Sequence, residues 1–337
     1  MSDAALPLNR IRAIDLFCGI GGNSQAAYDI GIEIVAGFDK WELATKVYQE
    51  NFPHAQVITT CLEKVRIPSV KKRIGEIDLI LASPECTSHS IARGNRAPDE
   101  NSLKLAFQVT RFSEQFQPRW ILIENVAQMM DWDEYGSFKK KLEKQGYKVN
   151  EQELVASEFG VPQSRKRLFL LCDKEATPPN IIPYPQTPRK VARDIVNLNG
   201  RYEYSPLHKK GRAEKTIERA NSGMAVHPSD PFLLVYYGSG GTGNGGFQSL
   251  DVPLRTVTTL DRFAVLKHNE DGPVMRMLQV PELQAAMGFP DDYKLNYGTR
   301  RDKIHMLGNA VCPPLVRTIL EQLLGVTRTE NSEEHET

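Results

Sequence analysis

The sequence predicts an α/β protein built on a mostly parallel sheet, with an antiparallel pair of strands at one edge and a smaller second domain. From residue 11 to about residue 173, short apolar runs alternate with amphipathic segments of helical length, as in βαβ units. After Asp173 the composition changes to proline and turn residues, in the run EATPPNIIPYPQTPRK, which indicates a domain boundary.

The strands of the first domain are predicted at apolar runs that each end in a polar or glycine-rich turn. In chain order these runs are RAIDLF, IEIVAGFD, IDLILA and WILIEN, and helices are predicted at residues 25–30, 43–51 and 103–116. No helical pattern separates YKVNEQELVA from KRLFLLCD, so these two runs are predicted to pair antiparallel at a sheet edge.

The periodicity is weak between Asp173 and about Val274. This region contains YYGSGGTGNGG at residues 236–246, which lacks the Gly-Lys-Ser/Thr end of a P-loop and is predicted to be a flexible loop. Helical patterning returns in VPELQAAMG and PPLVRTILEQLL. The tail after about Thr327 has a disordered composition.

Charge, cysteine content and hydropathy argue against several classes of protein. The chain has 337 residues, with 42 Lys and Arg and 42 Asp and Glu, so it has no global basic field, although local basic clusters leave room for a phosphate-binding face. Five single cysteines without a Cys-x-x-Cys pair argue against a disulfide framework and a zinc site, and no metal is expected. Without a long apolar run or a signal-peptide pattern, the protein is expected to stay inside the cell, with no membrane partner.

The turn after the first strand, DLFCGIGGNSQAA, has the features of a cofactor site. Gly19, Gly21 and Gly22 lie between a strand and a helix, where they let the backbone come close to a ligand. Their Gly-x-Gly-Gly spacing departs from the Gly-x-Gly-x-x-Gly of dinucleotide sites. Asp39 ends the second strand about 20 residues later, where a carboxylate can accept hydrogen bonds from ribose hydroxyls. A nucleoside-bearing cofactor without a pyrophosphate, such as S-adenosylmethionine, suits both features.

A thiol and a carboxylate follow two further strands. Cys86 lies in ASPECTSHS, just after IDLIL, and Glu124 ends the run WILIE. Because open α/β sheets keep their chemistry at the carboxyl ends of the strands, both side chains are expected to face one crevice. Taken singly, a lone cysteine is commonly a small core residue and such a glutamate can cap a helix. Their joint placement favours catalysis.

Six motifs in this order resemble those of the cytosine-C5 methyltransferase family. They are DLFCGIGG, SPEC, ENV, QSRKR, RMLQVPELQAAMGFPDDY and MLGNAVCPP. The resemblance implies a Rossmann-like methyltransferase sheet with a smaller target-recognition domain. The implied segments are a catalytic, cofactor-binding domain at 10–173, the target-recognition domain at 174–273, a return segment that completes the catalytic domain at 274–326, and a disordered tail at 327–337.

The resemblance also implies the reaction, which is methyl transfer from S-adenosylmethionine to carbon 5 of cytosine in duplex DNA. In this family a thiolate adds to carbon 6 of a base swung out of the helix, and the ring becomes an enamine. Cys86 would be that thiolate, and Arg165 and Arg167 would supply a positive field that favours it. Glu124 would hydrogen-bond or protonate N3 of the base.

Further site residues follow from the matched motifs. The implied cofactor-binding residues are Phe17, Gly19, Gly21, Gly22, Asp39, Trp41, Leu62, Pro84, Asn309 and Val311. The implied DNA contacts are Gln163, Ser88, Arg255 and Thr258. The last two lie in PLRTVTTLDRF, where an ordinary strand is an equally good interpretation. The implied partners are double-stranded DNA and a cognate restriction endonuclease, for a monomeric chain of prokaryotic or phage origin in the cytoplasm, at the nucleoid.

Several positions depart from the family pattern. Glu85 and Thr87 flank the nucleophile where the family has proline and glutamine, and Glu85 would oppose ionisation of the thiol if it points inward. His89 replaces a phenylalanine of the same motif. Cys61 stands where the family has an aspartate for the adenine amino group, and Lys40 stands where an aromatic ring often stacks on adenine.

Three alternatives remain open on the sequence. The same chemistry on RNA would require recognition of single strands or loops by stacking aromatic side chains. A catalytically silent DNA-binding relative would explain Glu85 and Cys61, although Cys86, Glu124 and Asn309 are present. A NAD-dependent oxidoreductase is disfavoured by the glycine spacing.

Overall fold

The computed structural model describes residues 11–84, 105–237 and 246–326. The predicted nucleophile Cys86 and the predicted DNA contact Ser88 lie outside these residues, as do most of the glycine-rich loop and the predicted tail. Contacts divide the chain into two compact units. The first contains the residues up to Leu154, Lys166–Pro185 and the residues from Val311 onward, and the second contains Val155–Arg165 and Gln186–Ala310. This division by contacts does not test the predicted domain boundaries, which stay a prediction.

The first unit is built on a seven-stranded sheet. Its strands are β1 Arg12–Leu16, β2 Glu33–Asp39, β3 Gln56–Thr59, β4 Leu79–Ala82, β5 Trp120–Asn125, β6 Lys148–Val155 and β7 Lys166–Asp173. They lie in the order β3-β2-β1-β4-β5-β7-β6, with parallel pairs from β3 to β5 and with β7 antiparallel to β5. The predicted α/β class with its mostly parallel sheet is confirmed, and β6 and β7 are neighbours at one edge.

The α-helices of the described residues lie between and after the strands in the chain. They are α1 Gly22–Tyr28, α2 Glu42–Asn51, α3 Ile67–Ile74, α4 Phe107–Phe116, α5 Tyr135–Lys144, α6 Glu214–Val226, α7 Val280–Ala286, α8 Arg300–Asn309 and α9 Pro313–Leu323. Proline stands in the first turn of α3, α7 and α9, where its missing N–H leaves no helical hydrogen bond unmade. Among the described residues, none of these helices is long and apolar enough to cross a membrane.

The core of the first unit fixes where its strands end. Strands β4 and β5 are buried along their whole length, as is typical of central strands in a parallel sheet. Phe112 of α4 packs edge to face on Phe38 of β2, with ring centroids 5.3 Å apart. The apolar strands are therefore held against helices, and the polar residues that follow them are left at the sheet edge.

The second unit contains a five-stranded antiparallel sheet. Its strands are β8 Ser205–Pro206, β9 Phe232–Val235, β10 Phe247–Ser249, β11 Phe263–Asn269 and β12 Gly272–Met277, in the order β10-β9-β11-β12-β8. The sequence pattern did not predict this sheet, because several of its strands are too short for a clear alternation. Strand β12 includes residues on both sides of position 273, where the predicted target-recognition domain ends.

Candidate active site

The turn after β1 brings the chain into α1 through left-handed backbone. Phe17 has φ 58°, which is uncommon for a residue with a side chain, and Gly19 and Gly21 have φ 51° and 90°. The Cys18 N–H donates to the Phe38 carbonyl at 3.0 Å, so the turn is anchored to the end of β2. Glycine is needed at positions 19 and 21 because side chains rarely adopt this backbone conformation.

Asp39 joins the ends of β1 and β2. One of its carboxylate oxygens accepts the Gly19 N–H at 2.9 Å, and the other accepts the Trp41 N–H at 2.8 Å. Its backbone carbonyl accepts the Thr60 N–H, which brings the end of β3 to the same edge. The residues predicted to bind the cofactor from these strands are thus neighbours, and their contact with a cofactor stays a prediction.

The turn after β3 is held by an arginine that was not among the predicted site residues. The guanidinium of Arg111, on α4, donates to the carbonyls of Leu62 and Val65 and, through Nε, to Gln108. Leu62 itself is buried. Burial lowers the pKa of Arg111, an effect that Glu63 partly offsets. No motif marks Arg111, because its partners are backbone carbonyls far away in the sequence.

The glycines of the first turn meet two different environments. A Cβ at Gly22 would lie 2.3 Å from the Val311 carbonyl oxygen, so this glycine permits the close packing of α1 beside the start of α9. A Cβ at Gly19 would meet nothing within 4 Å, so open space borders this turn. Open space beside the half-buried Gly19 and a neighbouring carboxylate fits the nucleoside end of S-adenosylmethionine.

The ends of β4 and β5 are tied together at Pro84, which precedes the segment that contains Cys86 in the chain. Asn125 Nδ2 donates to the Pro84 carbonyl at 3.1 Å, and Asn125 Oδ1 accepts the Val126 N–H at 2.8 Å. Ser83 Oγ donates to the Phe17 carbonyl at 3.0 Å. Asn125 is buried and was not predicted as a site residue, although its place after Glu124 in the ENV motif is a usable signal.

Glu124 and Arg167 form an ion pair at the end of β5. Arg167 Nε lies 3.1 Å from Glu124 Oε1, and the two side chains are 16% and 8% exposed. The pair forms because β7 runs antiparallel to β5, with Glu124 opposite Phe169, so that the start of β7 meets the end of β5. Whether Arg167 also acts on Cys86 stays a prediction.

Asp15, on β1, is a fully buried carboxylate that the sequence patterns did not single out. Its Oδ2 accepts a hydrogen bond from Ser24 Oγ at 2.7 Å, and Oδ1 has no hydrogen-bond partner among the described residues. Burial raises the pKa of Asp15 to about 7, against the lowering effect of the hydrogen bond from Ser24. Burial also raises the pKa of the neighbouring Cys18 thiol, with a further contribution from Asp39.

In the second unit, the Gln163 side chain is completely buried. Its amide nitrogen donates to the Ala286 carbonyl at 3.0 Å and lies 3.0 Å from Met287 Sδ, and its oxygen accepts the Val257 N–H at 2.7 Å. With both ends of the amide occupied, this glutamine positions the segment around Val257. The predicted contact of Gln163 with DNA stays a prediction, and in this conformation it would act through that segment.

Arg165 is likewise buried and donates only to backbone. Its guanidinium nitrogens reach the carbonyls of Val257 at 3.0 Å, Gly308 at 2.9 Å and Ala310 at 3.1 Å. Its Nε has no hydrogen-bond partner among the described residues. These bonds hold both sides of Asn309, which is itself exposed. The predicted role of Arg165 in activating the thiol stays a prediction.

Arg255 and Thr258 lie on the segment that Gln163 and Arg165 hold. Both are half-buried, and Thr258 Oγ1 accepts the Leu260 N–H in a tight turn. A Cβ at Gly308 would lie 2.4 Å from the Thr258 carbonyl carbon, so this turn packs directly on α8. No cluster of three or more His, Cys, Asp or Glu side chains that could hold a metal is found among the described residues.

Comparisons with known proteins agree with the resemblance of the motifs. Residues 11–325 match the family described as C-5 cytosine-specific DNA methylase. Type II methyltransferase M.Bsp6I of Bacillus sp. (strain RFL6) is 27% identical over 341 residues, which cover 93% of this chain and 98% of that protein. Type II methyltransferase M1.BsuMI of Bacillus subtilis (strain 168) is 33% identical over 189 residues, which cover 50% of this chain and 44% of that protein. The solved structure of Entamoeba histolytica methyltransferase EhMeth shares the fold, with a TM-score of 0.68 and 16% identity over 94% of this chain and 98% of that chain.

Proposed function

Because this chain belongs to the C-5 cytosine-specific DNA methylase family, we propose that it transfers a methyl group from S-adenosylmethionine to carbon 5 of cytosine in duplex DNA, at a specific short sequence. The observation that carries the proposal is the buried pair of Glu124 and Arg167. This pair lies at the end of β5, next to the β4 end that leads to Cys86. A carboxylate fixed at the end of the strand that neighbours β4, which precedes Cys86 in the chain, suits attack on a pyrimidine ring.

The cofactor would lie against the ends of β1 to β3. The open side of Gly19, the Asp39 carboxylate and the turn at Leu62 would hold its nucleoside part, with Phe17 and Trp41 beside it. When bound, S-adenosylmethionine supplies an activated methyl group on a sulfonium. The chain's own task is to make carbon 5 of the base nucleophilic.

Cys86 would supply that activation. Its thiolate adds to carbon 6 of the flipped cytosine, and the electron pair of the 5,6 double bond moves to carbon 5. Glu124 would take up a proton and donate it, through a hydrogen bond, to N3 of the base, which draws electron density from the ring as the new bond forms. After methylation the proton on carbon 5 leaves to a base, and elimination returns the electron pair of the carbon–sulfur bond to Cys86.

DNA would be held by the second unit and by the segment around the nucleophile. Arg255 and Thr258 are the proposed contacts on the second unit, and Ser88 is the proposed contact beside Cys86. The relatives are bacterial proteins named as type II methyltransferases. We therefore place this protein in a bacterial cell, with methylation that protects a site from a cognate restriction endonuclease.

The decisive experiment uses radiolabelled S-adenosylmethionine with either duplex DNA or transfer RNA. We expect label in the duplex only, and loss of all label with Cys86→Ser while duplex binding persists. Label in transfer RNA would favour the RNA alternative, and duplex binding without any label would favour the silent relative. Turnover by Cys86→Ser would overturn the assignment of the nucleophile.

The covalent step has its own test. With 5-fluorocytosine in the target and S-adenosylmethionine present, the methylated carbon 5 carries fluorine and no proton to lose, so the adduct should persist and add the mass of the methylated oligonucleotide to a Cys86 peptide. Bisulfite sequencing of DNA from cells that express the protein would identify the methylated sequence and so supply the target. If the protein methylates a target sequence but forms no adduct with the 5-fluorocytosine version of that sequence, the proposed mechanism is contradicted.

A further inference from the structure

A cavity in the second unit lies outside the set of predicted site residues. It has a volume of about 510 Å³ and is lined by residues 259–262 and by Arg300, Arg301 and Ile304. Helix α8 begins at Arg300, so one wall is the start of this helix. The other wall directly follows Thr258, the proposed DNA contact. The cavity therefore continues the proposed DNA-binding segment.

The charges that line this cavity are unbalanced. Three arginines and one aspartate contribute to it. Arg300 donates to Asp261 Oδ2 from Nε at 3.1 Å and from Nη2 at 2.8 Å, and its remaining donors reach Gln279 and the Leu278 carbonyl. The charges of Arg300 and Asp261 thus compensate each other, and the geometry of Arg300 is fixed by the backbone it holds.

The other two arginines, Arg262 and Arg301, form no ion pair within the described residues. Arg262 donates to the Tyr236 carbonyl at 3.1 Å, which is a neutral acceptor. Arg301 is exposed. Within the described residues, neither guanidinium has a carboxylate at ion-pair distance, and the adjacent Asp302 carboxylate is hydrogen-bonded to Thr299. Hydrogen bonds from Thr299, and to a smaller extent the Arg301 charge, lower the pKa of Asp302. Among the described residues neither arginine has an ion-pair partner, so the cavity has an excess of positive charge.

A phosphodiester fits this arrangement. A guanidinium binds phosphate oxygens through two parallel N–H groups, and two guanidinium groups on one cavity can hold a single phosphate from two sides. Leu260 is 42% exposed at the same turn, so the segment is accessible from solvent. Phosphate contacts of this kind set the position of a protein on a duplex without reading its sequence.

We propose that this cavity binds one phosphate of the duplex backbone through Arg262 and Arg301, an inference that rests on the proposed function. The contact anchors the Thr258 turn against the strand while other residues read the bases. Arg300 acts here as a positioning residue, because four of its five N–H donors hold Asp261, Gln279 and the Leu278 carbonyl and so orient the cavity wall.

The test is the salt dependence of duplex binding. Fluorescence anisotropy with a short labelled duplex, over a series of salt concentrations, compares the wild type with Arg262→Gln, Arg301→Gln and Arg301→Lys. Loss of the phosphate contact should reduce the slope of log K against log salt by about 0.9 and weaken binding about five- to tenfold near 0.1 M salt. Arg301→Lys should keep most of the slope, because it keeps the charge. Arg73→Gln, which removes an exposed charge from the first unit, is the matched control and should leave the slope unchanged.

The outcomes separate this inference from the proposed function. If both glutamine variants keep the wild-type slope while the wild type methylates duplex DNA, the phosphate site is refuted and the methyltransferase proposal stands. The phosphate site is likewise refuted if Arg73→Gln lowers the slope equally. If the wild type neither binds nor methylates duplex DNA, both proposals fail. Transfer RNA that competes better than duplex would overturn the choice of partner.

Discussion

Arg167 Nε lies 3.1 Å from the Glu124 carboxylate, although the two residues are 43 positions apart and on strands that run in opposite directions. Both side chains are largely removed from solvent, so each charge depends on the other. The pair connects the glutamate proposed to act on the base with the arginine of the QSRKR motif.

Breaking this pair should affect both stability and rate. Removal of one partner takes the ion-pair partner from a buried charge, so Arg167→Leu is expected to lower the free energy of unfolding by about 3 kcal/mol. Glu124→Gln should reduce the methylation rate by at least ~10²-fold. Urea unfolding of the two single variants and the double variant gives the coupling energy. If the losses of unfolding free energy in the single variants add up to that of the double variant, the two charges do not interact. An unchanged methylation rate in Glu124→Gln would remove Glu124 from the mechanism.

Asn125 should matter for rate more than for stability. Asn125→Ala loses the hydrogen bond to the Pro84 carbonyl, two residues before Cys86, and is expected to cost about 1 kcal/mol of stability. A displaced nucleophile segment should lower kcat by about 10²-fold, with duplex binding preserved. Asn150→Ala is the matched control, because Asn150 donates to the carbonyls of Pro178 and Pro179. Equal kcat values for the two variants would contradict the positioning role.

Alanine at Gly22 should mainly lower stability, whereas alanine at Gly19 should mainly weaken cofactor binding. Gly22→Ala places a methyl group 2.3 Å from the Val311 carbonyl oxygen and should lower the free energy of unfolding by about 2–3 kcal/mol. Gly19→Ala meets no protein atom within 4 Å and should cost about 1 kcal/mol, from its left-handed backbone alone. It should nevertheless weaken cofactor binding more than about tenfold, which is 1.4 kcal/mol in calorimetry. Unaltered cofactor affinity in Gly19→Ala would place the ligand elsewhere.

Asp15 should make stability depend on pH between about 4 and 7. Its folded-state pKa of about 7 lies above the usual 3.8, so the folded chain keeps a proton that the unfolded chain has lost. This contribution to stability is complete below pH 4 and is lost as the pH rises through 7. Relative to Asp15→Asn, which keeps a neutral side chain, the wild type should lose about 2–3 kcal/mol between pH 5 and pH 8. Denaturant titrations at each pH give the free energy of unfolding of both proteins. If the two free energies change with pH in parallel, Asp15 is ionised in the fold at all these pH values.

Thiol labelling of the folded Cys86→Ser protein should single out one cysteine. Cys61 is half-buried and should react first, whereas Cys18 and Cys172 are buried and burial raises the pKa of both thiols. Cys312 is buried and should also be protected. Peptide mapping by mass spectrometry, before and after unfolding in urea, measures the difference. Rapid labelling of Cys18 in the folded protein would mean that the turn after β1 opens readily.

Much of the first unit followed from local pattern. The apolar runs and the glycine turn predicted β1, β2, β4 and β5 with their polar ends, because a strand's burial and its end are set by neighbouring residues in the chain. The missing helix between the last two runs predicted that β6 and β7 are neighbours at one edge. The sheet of the second unit was missed, since strands as short as Ser205–Pro206 have no readable period.

The sequence alone determined the family, the reaction class and the strand ends at which candidate residues stand, because ordered motifs and hydrophobic periodicity are local properties of the chain. Only the tertiary structure decided that Arg167 pairs with Glu124, that Asn125 holds Pro84, and that Gln163 and Arg165 are buried against backbone. These partners are distant carbonyls and carboxylates. Which of them a side chain meets depends on strand order and register, and no stretch of sequence specifies those by itself.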